Sequence, residues 1–223
     1  MAIMMLFKVL NGDGTCYNGG NGSWHLPVKN PDGSWTAGEW MPAIQGDLEP
    51  CSHGYHLCRE QDLLRWLGPA IFEAEYRGEM IEAEDKIVVR EARLLRQVET
   101  WTERTARLFA CDCAERVVDL CGDDPRPRRA IDVARRYAGG EAVEAEELDV
   151  ARDFGWAGAW ATARAAAHDA AWATARACAW DAARAASRAA SWAAAWAGAW
   201  AGAWDAEQEY QSARLMEYLG NGA

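Results

Sequence analysis

The feature that most constrains this chain is a four-residue repeat in its C-terminal third, from residue 156 to residue 204. Every fourth position is tryptophan, arginine or histidine, and the three residues between are nearly all alanine. Alanine has the highest helix propensity, so this segment is predicted to be helical. We call the repeated positions the tetrad array. They are Trp156, Trp160, Arg164, His168, Trp172, Arg176, Trp180, Arg184, Arg188, Trp192, Trp196, Trp200 and Trp204.

The period of the tetrad array is too long for one straight helix to present it to one surface. Each step of four residues advances about 40° around a helix of 3.6 residues per turn, so twelve steps turn through roughly 480°. We therefore expect two or three shorter helices that pack antiparallel through their alanine surfaces. The expected breaks are Gly155/Gly158 and Gly198/Gly202. Expansion of a short DNA repeat explains the regularity equally well, and it would leave individual tryptophans unselected.

The large side chains of the tetrad array predict contacts with protein. Tryptophan and arginine are enriched where interfaces gain most of their binding energy. The expected partner is another protein or a second copy of this chain. The predicted interaction surface is Trp156, Trp160, Trp172, Arg176, Trp180, Arg184, Trp192, Trp196, Trp200 and Trp204.

Membranes and nucleic acids are weaker alternatives as partners of this segment. The uncharged stretch 189–204 contains Gly198 and Gly202 in a small-xxx-small pattern, but it is shorter than the ~20 apolar residues that span a bilayer. Exposed indoles can stack on bases. A net charge of −11 opposes binding to phosphate backbones, so no nucleic-acid partner is expected.

The cysteine usage predicts a reducing compartment. The chain has seven cysteines, an odd number at irregular spacing, and its first residues lack a basic leader and a cleavage site. We therefore expect free thiols and a cytoplasmic protein, or a virion component if it is a phage structural protein.

The first hundred residues predict an α+β domain, and residues 101–223 predict an all-α domain. Strands are expected at 3–10, 54–58, 71–78 and 86–95, with a helix at 59–67. From residue 101 the apolar residues follow a helical period. The expected helices cover 102–120, then a segment from Asp124-Pro125 to Gly139-Gly140, then a third helix from Glu141 onward.

Two clusters carry side chains capable of chemistry. Cys51, His53, His56 and Cys58 are zinc-ligand types, although four ligands within eight residues rarely surround one ion, and a turn followed by a strand with a buried Cys58 is the commoner outcome. The Glu73/Glu75 pair suits general acid–base work or, more commonly, a solvated strand face. The sequence contains no P-loop, dinucleotide fingerprint or nucleophile elbow, so neither a catalytic residue nor a cofactor is predicted.

Residues 5–95 contain Phe7-Lys8-Val9 and, from Gly54 to Cys58, the run Gly-Tyr-His-Leu-Cys. Through these motifs they resemble an uncharacterised domain family that is common in bacteriophage genomes and their hosts. Residues 105–190 resemble helical immunity proteins of bacterial toxin systems, through TARLFACDCAERVV and DDPRPRRAIDVARRYAGGE. That second resemblance implies a toxin-neutralising role, from which the dense tryptophans of this chain depart.

The N-terminal domain also has a Gly-aromatic-His strand, a following helix and a strand with Glu-x-Glu. This pattern loosely resembles ADP-ribosyltransferases, and the resemblance implies an NAD-binding enzyme in the N-terminal domain. The sequence lacks the Ser-Thr-Ser element of that fold. The leading hypothesis is instead a non-enzymatic interaction or assembly protein, associated with a phage or mobile element, that acts through its helical domain.

Overall fold

The structure is a computed structural model, and it describes residues 5–144, 147, 170, 174, 179–198 and 201–220. The chain forms two compact units, Met1–Glu99 and Thr100–Ala223. The first contains a four-stranded antiparallel sheet and the second is helical, which confirms the predicted fold class, α+β followed by all-α. None of the helices described is long and apolar enough to cross a membrane.

The elements of the N-terminal unit are β1 (Leu6–Leu10), β2 (Val28–Lys29), β3 (Trp35–Thr36), β4 (Tyr55–Leu57), α1 (Leu63–Trp66), β5 (Ala70–Ala83) and β6 (Lys86–Gln97). An antiparallel sheet has the strand order β1-β5-β6-β4. A separate two-stranded ribbon pairs β2 with β3. The helix predicted at 59–67 is a 3-10 turn, Glu60–Asp62, followed by the single α-helical turn α1, and Gly68 and Pro69 follow its end.

The sheet curls so that its two edge strands meet. The backbone N–H of Phe7 donates to the carbonyl of Cys58 at 2.8 Å, and the N–H of Cys58 donates to the carbonyl of Phe7 at the same distance. Closing the edges removes unpaired backbone groups. One face of the curled sheet holds the hydrophobic core. That core includes Leu6, Leu10, Trp24, Leu57, Phe72, Ile87 and Leu94.

The C-terminal unit contains four described α-helices: α2 (Glu103–Glu115), α3 (Pro125–Gly139), α4 (Ala179–Ala197) and α5 (Ala201–Tyr218). The Asp124 carboxylate accepts a hydrogen bond from the N–H of Arg126, and Gly140 ends α3 at φ 87°. Both ends of this helix are therefore as predicted. The helix expected at 102–120 is shorter, because α2 ends at Glu115 and a 3-10 helix, Val118–Cys121, follows it.

The alanines between the positions of the tetrad array form a packing face. In α4 the fully buried positions include Ala182, Ala186, Ala190 and Ala193. This helix packs against α2 and α5, and α2 also contacts α3. The break between α4 and α5 falls at Gly198, where a side-chain Cβ would lie 2.6 Å from the Cβ of Ala203. The break expected near residue 155, and most of the third helix, lie outside the described residues.

Candidate functional site

The N-terminal unit contains a cleft with a volume of about 450 Å³. The glycine-rich segment 16–22 forms one wall, and aromatic side chains that include Trp24 and Trp66 form others. Two lysines, Lys8 and Lys86, line the same cavity. None of its nineteen lining residues, all of them described, is aspartate or glutamate. We call this cavity the lysine cleft.

The glycine-rich wall is shaped by backbone conformations that favour glycine. Gly19 and Gly20 have φ angles of 92° and 90°, which L-residues with side chains rarely adopt. The side-chain amide of Asn18 donates to the carbonyl of Trp66 at 2.8 Å. This hydrogen bond ties the wall to the end of α1, so the segment has a fixed place at the cleft.

Lys8 is the central residue of β1, and its side chain shares a strand face with the buried Leu6 and Leu10. Its Nζ donates to the carbonyl of His56 at 3.0 Å and lies 4.9 Å from the ring centroid of Trp24. Burial lowers the pKa of Lys8, although the nearby sulfurs of Cys16 and Cys58 act in the opposite direction. A lysine on a core face is rare in a folded protein and marks this site as unusual.

Lys86, the first residue of β6, has a different environment. Its Nζ lies 4.4 Å from the ring centroid of Trp66 and 3.3 Å from Oδ1 of Asp85. Burial acts to lower the pKa of Lys86, but hydrogen bonds to Cys51 and Asp85 outweigh it and leave that pKa raised. The environment of Lys86 therefore favours its charged form, whereas the environment of Lys8 disfavours it.

His56 also lines the cleft, and the charges of both lysines act on it. Its Nε2 accepts a hydrogen bond from the N–H of Cys51 at 2.9 Å. Burial lowers the pKa of His56, and the charges of Lys8 and Lys86 lower it further. The imidazole is therefore neutral at pH 7, with its proton on Nδ1 because Nε2 is an acceptor.

The four predicted metal ligands are not arranged as a metal site. Cys51, His56 and Cys58 line the lysine cleft, whereas His53 does not. Among the residues the structure describes, no group of three or more His, Cys, Asp or Glu could hold a metal ion. Burial raises the pKa of Cys58 to about 12, so this residue is a protonated thiol, buried as the alternative interpretation expected.

The predicted carboxylate pair lies on an ion-paired strand face. Glu73 accepts from Nε of Arg96 at 2.8 Å, and Glu75 accepts from Nε of Arg93 at 2.5 Å. Both pairs join β5 to β6 across the hairpin. These two glutamates therefore pair with arginines between neighbouring strands and lie outside the lysine cleft.

The described tryptophans of the tetrad array pack on other aromatic rings within the C-terminal unit. The ring centroid of Trp192 is 5.5 Å from that of Trp196 and 5.0 Å from that of Trp204. Trp180 lies 5.8 Å from Trp101, which precedes α2. All four of these array members are half-buried, whereas Trp101 is buried in the core.

The remaining predicted surface residues divide into two groups. Arg184 donates to the carboxylate of Asp181 at 2.8 Å, an ion pair within α4. The others fall outside the described residues, so their predicted contacts stay predictions. They are Trp156, Trp160, Trp172, Arg176 and Trp200.

Sequence reasoning did not identify Lys8, Lys86, Trp24 or Trp66 as site residues. One signal was present for Lys8: it is the single charged residue of the five-residue strand LFKVL, whose other four members are buried. The other three residues join the cleft only through the curl of the sheet and the course of the loops. Their spacing along the chain carries no such signal.

Comparisons of the chain with protein-family models, with curated proteins and with solved structures found no match.

Proposed function

We propose that the N-terminal unit binds a small anionic organic ligand in the lysine cleft. One observation carries the proposal: two lysines line a cavity that has no acidic lining residue, in a chain whose net charge is −11. Acidic side chains elsewhere repel anions, whereas an ammonium group with low-dielectric walls attracts them. Lys86, whose charged form is stabilised, supplies that ammonium group in the cleft.

The dimensions and walls of the cleft suit a small organic molecule better than an inorganic ion alone. A volume of about 450 Å³ falls within the range of small-molecule sites. Trp24, Tyr55 and Trp66 give it flat apolar surfaces. Such walls favour a ligand that has a planar or apolar body as well as its anionic group.

The experiment is a thermal-shift and calorimetric titration of the full chain with four probes: inorganic phosphate, para-carboxybenzyl alcohol, AMP and NAD. NAD tests the resemblance to ADP-ribosyltransferases directly. An organic anion at a hundred times its Kd should stabilise the protein by about 2.7 kcal/mol. Lys86→Met should abolish the shift. Lys29→Met is the matched control, because Lys29 lies outside the cleft and pairs with Glu99 at 2.6 Å.

Two outcomes would overturn the ligand-binding proposal. One is the absence of a shift with all four probes. The other is a shift that survives Lys86→Met but responds to Lys29→Met, because binding would then lie elsewhere on the surface.

A second proposal concerns the helical unit, which we infer binds a protein partner or a second copy of the chain. The observation that favours it is the contact of the Trp192 ring with the rings of Trp196 and Trp204, since all three residues are half-buried. Partly accessible tryptophans in a packed group are suited to an interface. A phage assembly protein and a toxin-neutralising protein both fit this function.

Light scattering across a range of concentrations tests the self-association form of this proposal. The wild-type chain should give an oligomer, and the double variant Trp192→Ala/Trp196→Ala should give a monomer of unchanged helicity by circular dichroism. Arg188→Ala on the exposed side of α4 is the control and should leave the mass unchanged. A monomeric wild-type chain at every concentration excludes self-association.

A further inference from the structure

We propose that Lys8 is a nucleophilic amine that captures an anionic aldehyde or ketone as an imine, while Lys86 holds the anionic group. This inference rests on the proposed ligand-binding function of the lysine cleft and names the ligand class. It assigns different roles to the two lysines, which a simple anion site would not require.

Lysine is rare among the basic residues of this chain. Of its 23 lysines and arginines only three are lysines, Lys8, Lys29 and Lys86. Two of those three line the cleft. A guanidinium binds carboxylate or phosphate through two parallel hydrogen bonds, but it stays charged and is no nucleophile in proteins. Nearly all other basic residues of the chain are arginines. The cleft instead contains lysines, whose neutral amine has a nitrogen lone pair that can attack a carbonyl carbon.

The environment of the Lys8 amine favours its neutral form. Its described contacts are a backbone carbonyl, that of His56, and the face of Trp24. Among the described residues, no carboxylate forms an ion pair with it. A neutral amine can still donate one N–H to the His56 carbonyl, and its lone pair is then left for attack. Burial, which lowers the pKa of Lys8, favours this neutral form.

Lys86 differs from Lys8 in the protonation state that its environment favours. Its Nζ lies 3.3 Å from the carboxylate of Asp85, so the ammonium form is stabilised there. A group that keeps its charge suits the binding of an anion. Two amines in one cavity with environments that favour opposite protonation states are suited to different roles.

The covalent step needs no further reactant. The nitrogen lone pair of Lys8 attacks the carbonyl carbon and forms the C–N bond, while the carbonyl electron pair moves to oxygen. That oxygen takes the proton that the nitrogen loses, giving a carbinolamine. Loss of the hydroxyl group with a second proton as water leaves the C=N bond. Nothing is oxidised or reduced, and hydrolysis reverses the step.

The test is reductive trapping on the full wild-type chain with para-carboxybenzaldehyde and cyanoborohydride at pH 7, followed by peptide mass spectrometry. With only three lysines, each site of labelling is assigned without ambiguity. Lys8 should be labelled at least about tenfold faster than Lys29, because the cleft would hold the aldehyde beside this amine and burial favours the neutral form of Lys8. Lys86→Met should slow labelling of Lys8, because the anionic group then loses its partner.

Equal labelling of the three lysines, or labelling of Lys29 and Lys86 but not Lys8, would overturn the imine proposal. Binding of the alcohol analogue, para-carboxybenzyl alcohol, separates the two proposals. If the alcohol binds and Lys86→Met abolishes its binding, yet Lys8 is not labelled, the anion site stands and the imine fails. If the alcohol does not bind and Lys8 is not labelled, both proposals fail for this ligand class.

Discussion

The backbone N–H of Cys51 donates a hydrogen bond to Nε2 of His56 at 2.9 Å, and Cys51 has a φ angle of 64°. Cys51 is the only described residue other than glycine with a positive φ. A side chain in this left-handed region costs roughly 1–2 kcal/mol. The hydrogen bond to His56 therefore holds a strained turn at the edge of the lysine cleft, with the Cys51 sulfur beside Lys86.

Loss of the hydrogen bond between Cys51 and His56 should destabilise the protein. His56→Ala should lower the free energy of unfolding by about 1 kcal/mol, because the turn at Cys51 loses the net contribution of one hydrogen bond while it keeps its strain. Urea denaturation of the full chain measures the change. His53→Ala is the control: His53 is exposed, and its loss should change stability by less than about 0.5 kcal/mol. Equal effects of the two substitutions would contradict this account of the turn.

The stability of the protein should depend on pH through His56. Burial and the two lysine charges place the pKa of His56 in the folded state below its ordinary value of 6.5. Below pH 6.5 the unfolded state therefore binds more protons than the folded state, so the free energy of unfolding falls as pH falls. We expect a smaller decrease between pH 7 and pH 5 for His56→Gln than for the wild type.

Urea titrations of both proteins at a series of pH values check this difference. Carboxylates also titrate in acid, but they are common to both proteins, so the difference between the two curves isolates His56. Parallel curves would mean that His56 has the same pKa in both states.

Removing the Lys8 amine should stabilise the fold while it abolishes ligand capture. Lys8→Met keeps the length of the side chain and removes the cost of a charge on the core face, so we expect a gain of about 1 kcal/mol at pH 7. Loss of the hydrogen bond to the His56 carbonyl partly offsets the gain. Urea denaturation beside Lys29→Met, expected to be within about 0.5 kcal/mol of wild type, measures it. A destabilised Lys8→Met would show that the lysine has a structural role.

Local sequence patterns predicted the elements of this fold better than its site. The caps of α3 and the break at Gly198 depend on residues within a few positions, so turn and capping chemistry identifies them. The curl of the sheet depends on the pairing of Phe7 with Cys58, which are distant in the chain. Because the curl brings Lys8 to one cavity with Lys86, no local pattern could reveal the lysine cleft.

The tetrad array also shows that a local pattern predicts helices better than it predicts the contacts between them. Its period predicted large side chains around helices with alanine surfaces, and the buried alanines of α4 agree with that expectation. Its period did not predict which tryptophans would meet. Trp192 contacts both Trp196, one turn away, and Trp204, across the break at Gly198. The second contact depends on the angle between two helices, which alanine content does not determine.

In the C-terminal unit a buried carboxylate, that of Asp112, accepts hydrogen bonds from two other helices. Asp112 in α2 accepts hydrogen bonds from Arg135 of α3 at 3.0 Å, from Arg214 of α5 at 2.8 Å and from Tyr218 of α5 at 2.7 Å. It is 8% exposed. The same carboxylate raises the pKa of the Tyr218 hydroxyl, whose burial is the larger cause. One side chain therefore joins three helices.

Asp112→Ala should lower the free energy of unfolding by about 1–3 kcal/mol, because the helices lose three hydrogen bonds to a buried carboxylate, while Arg135 and Arg214 keep their ion pairs with Glu115 and Glu217. Asp119→Ala is the matched control, since Asp119 pairs with Arg128 on the surface, where an ion pair contributes at most about 1 kcal/mol. Urea denaturation followed by far-ultraviolet circular dichroism reports mainly on the helical unit. Similar losses for the two variants would mean that Asp112 does not hold α3 and α5 against α2. A selective loss for Asp112→Ala would identify it as the residue that joins them.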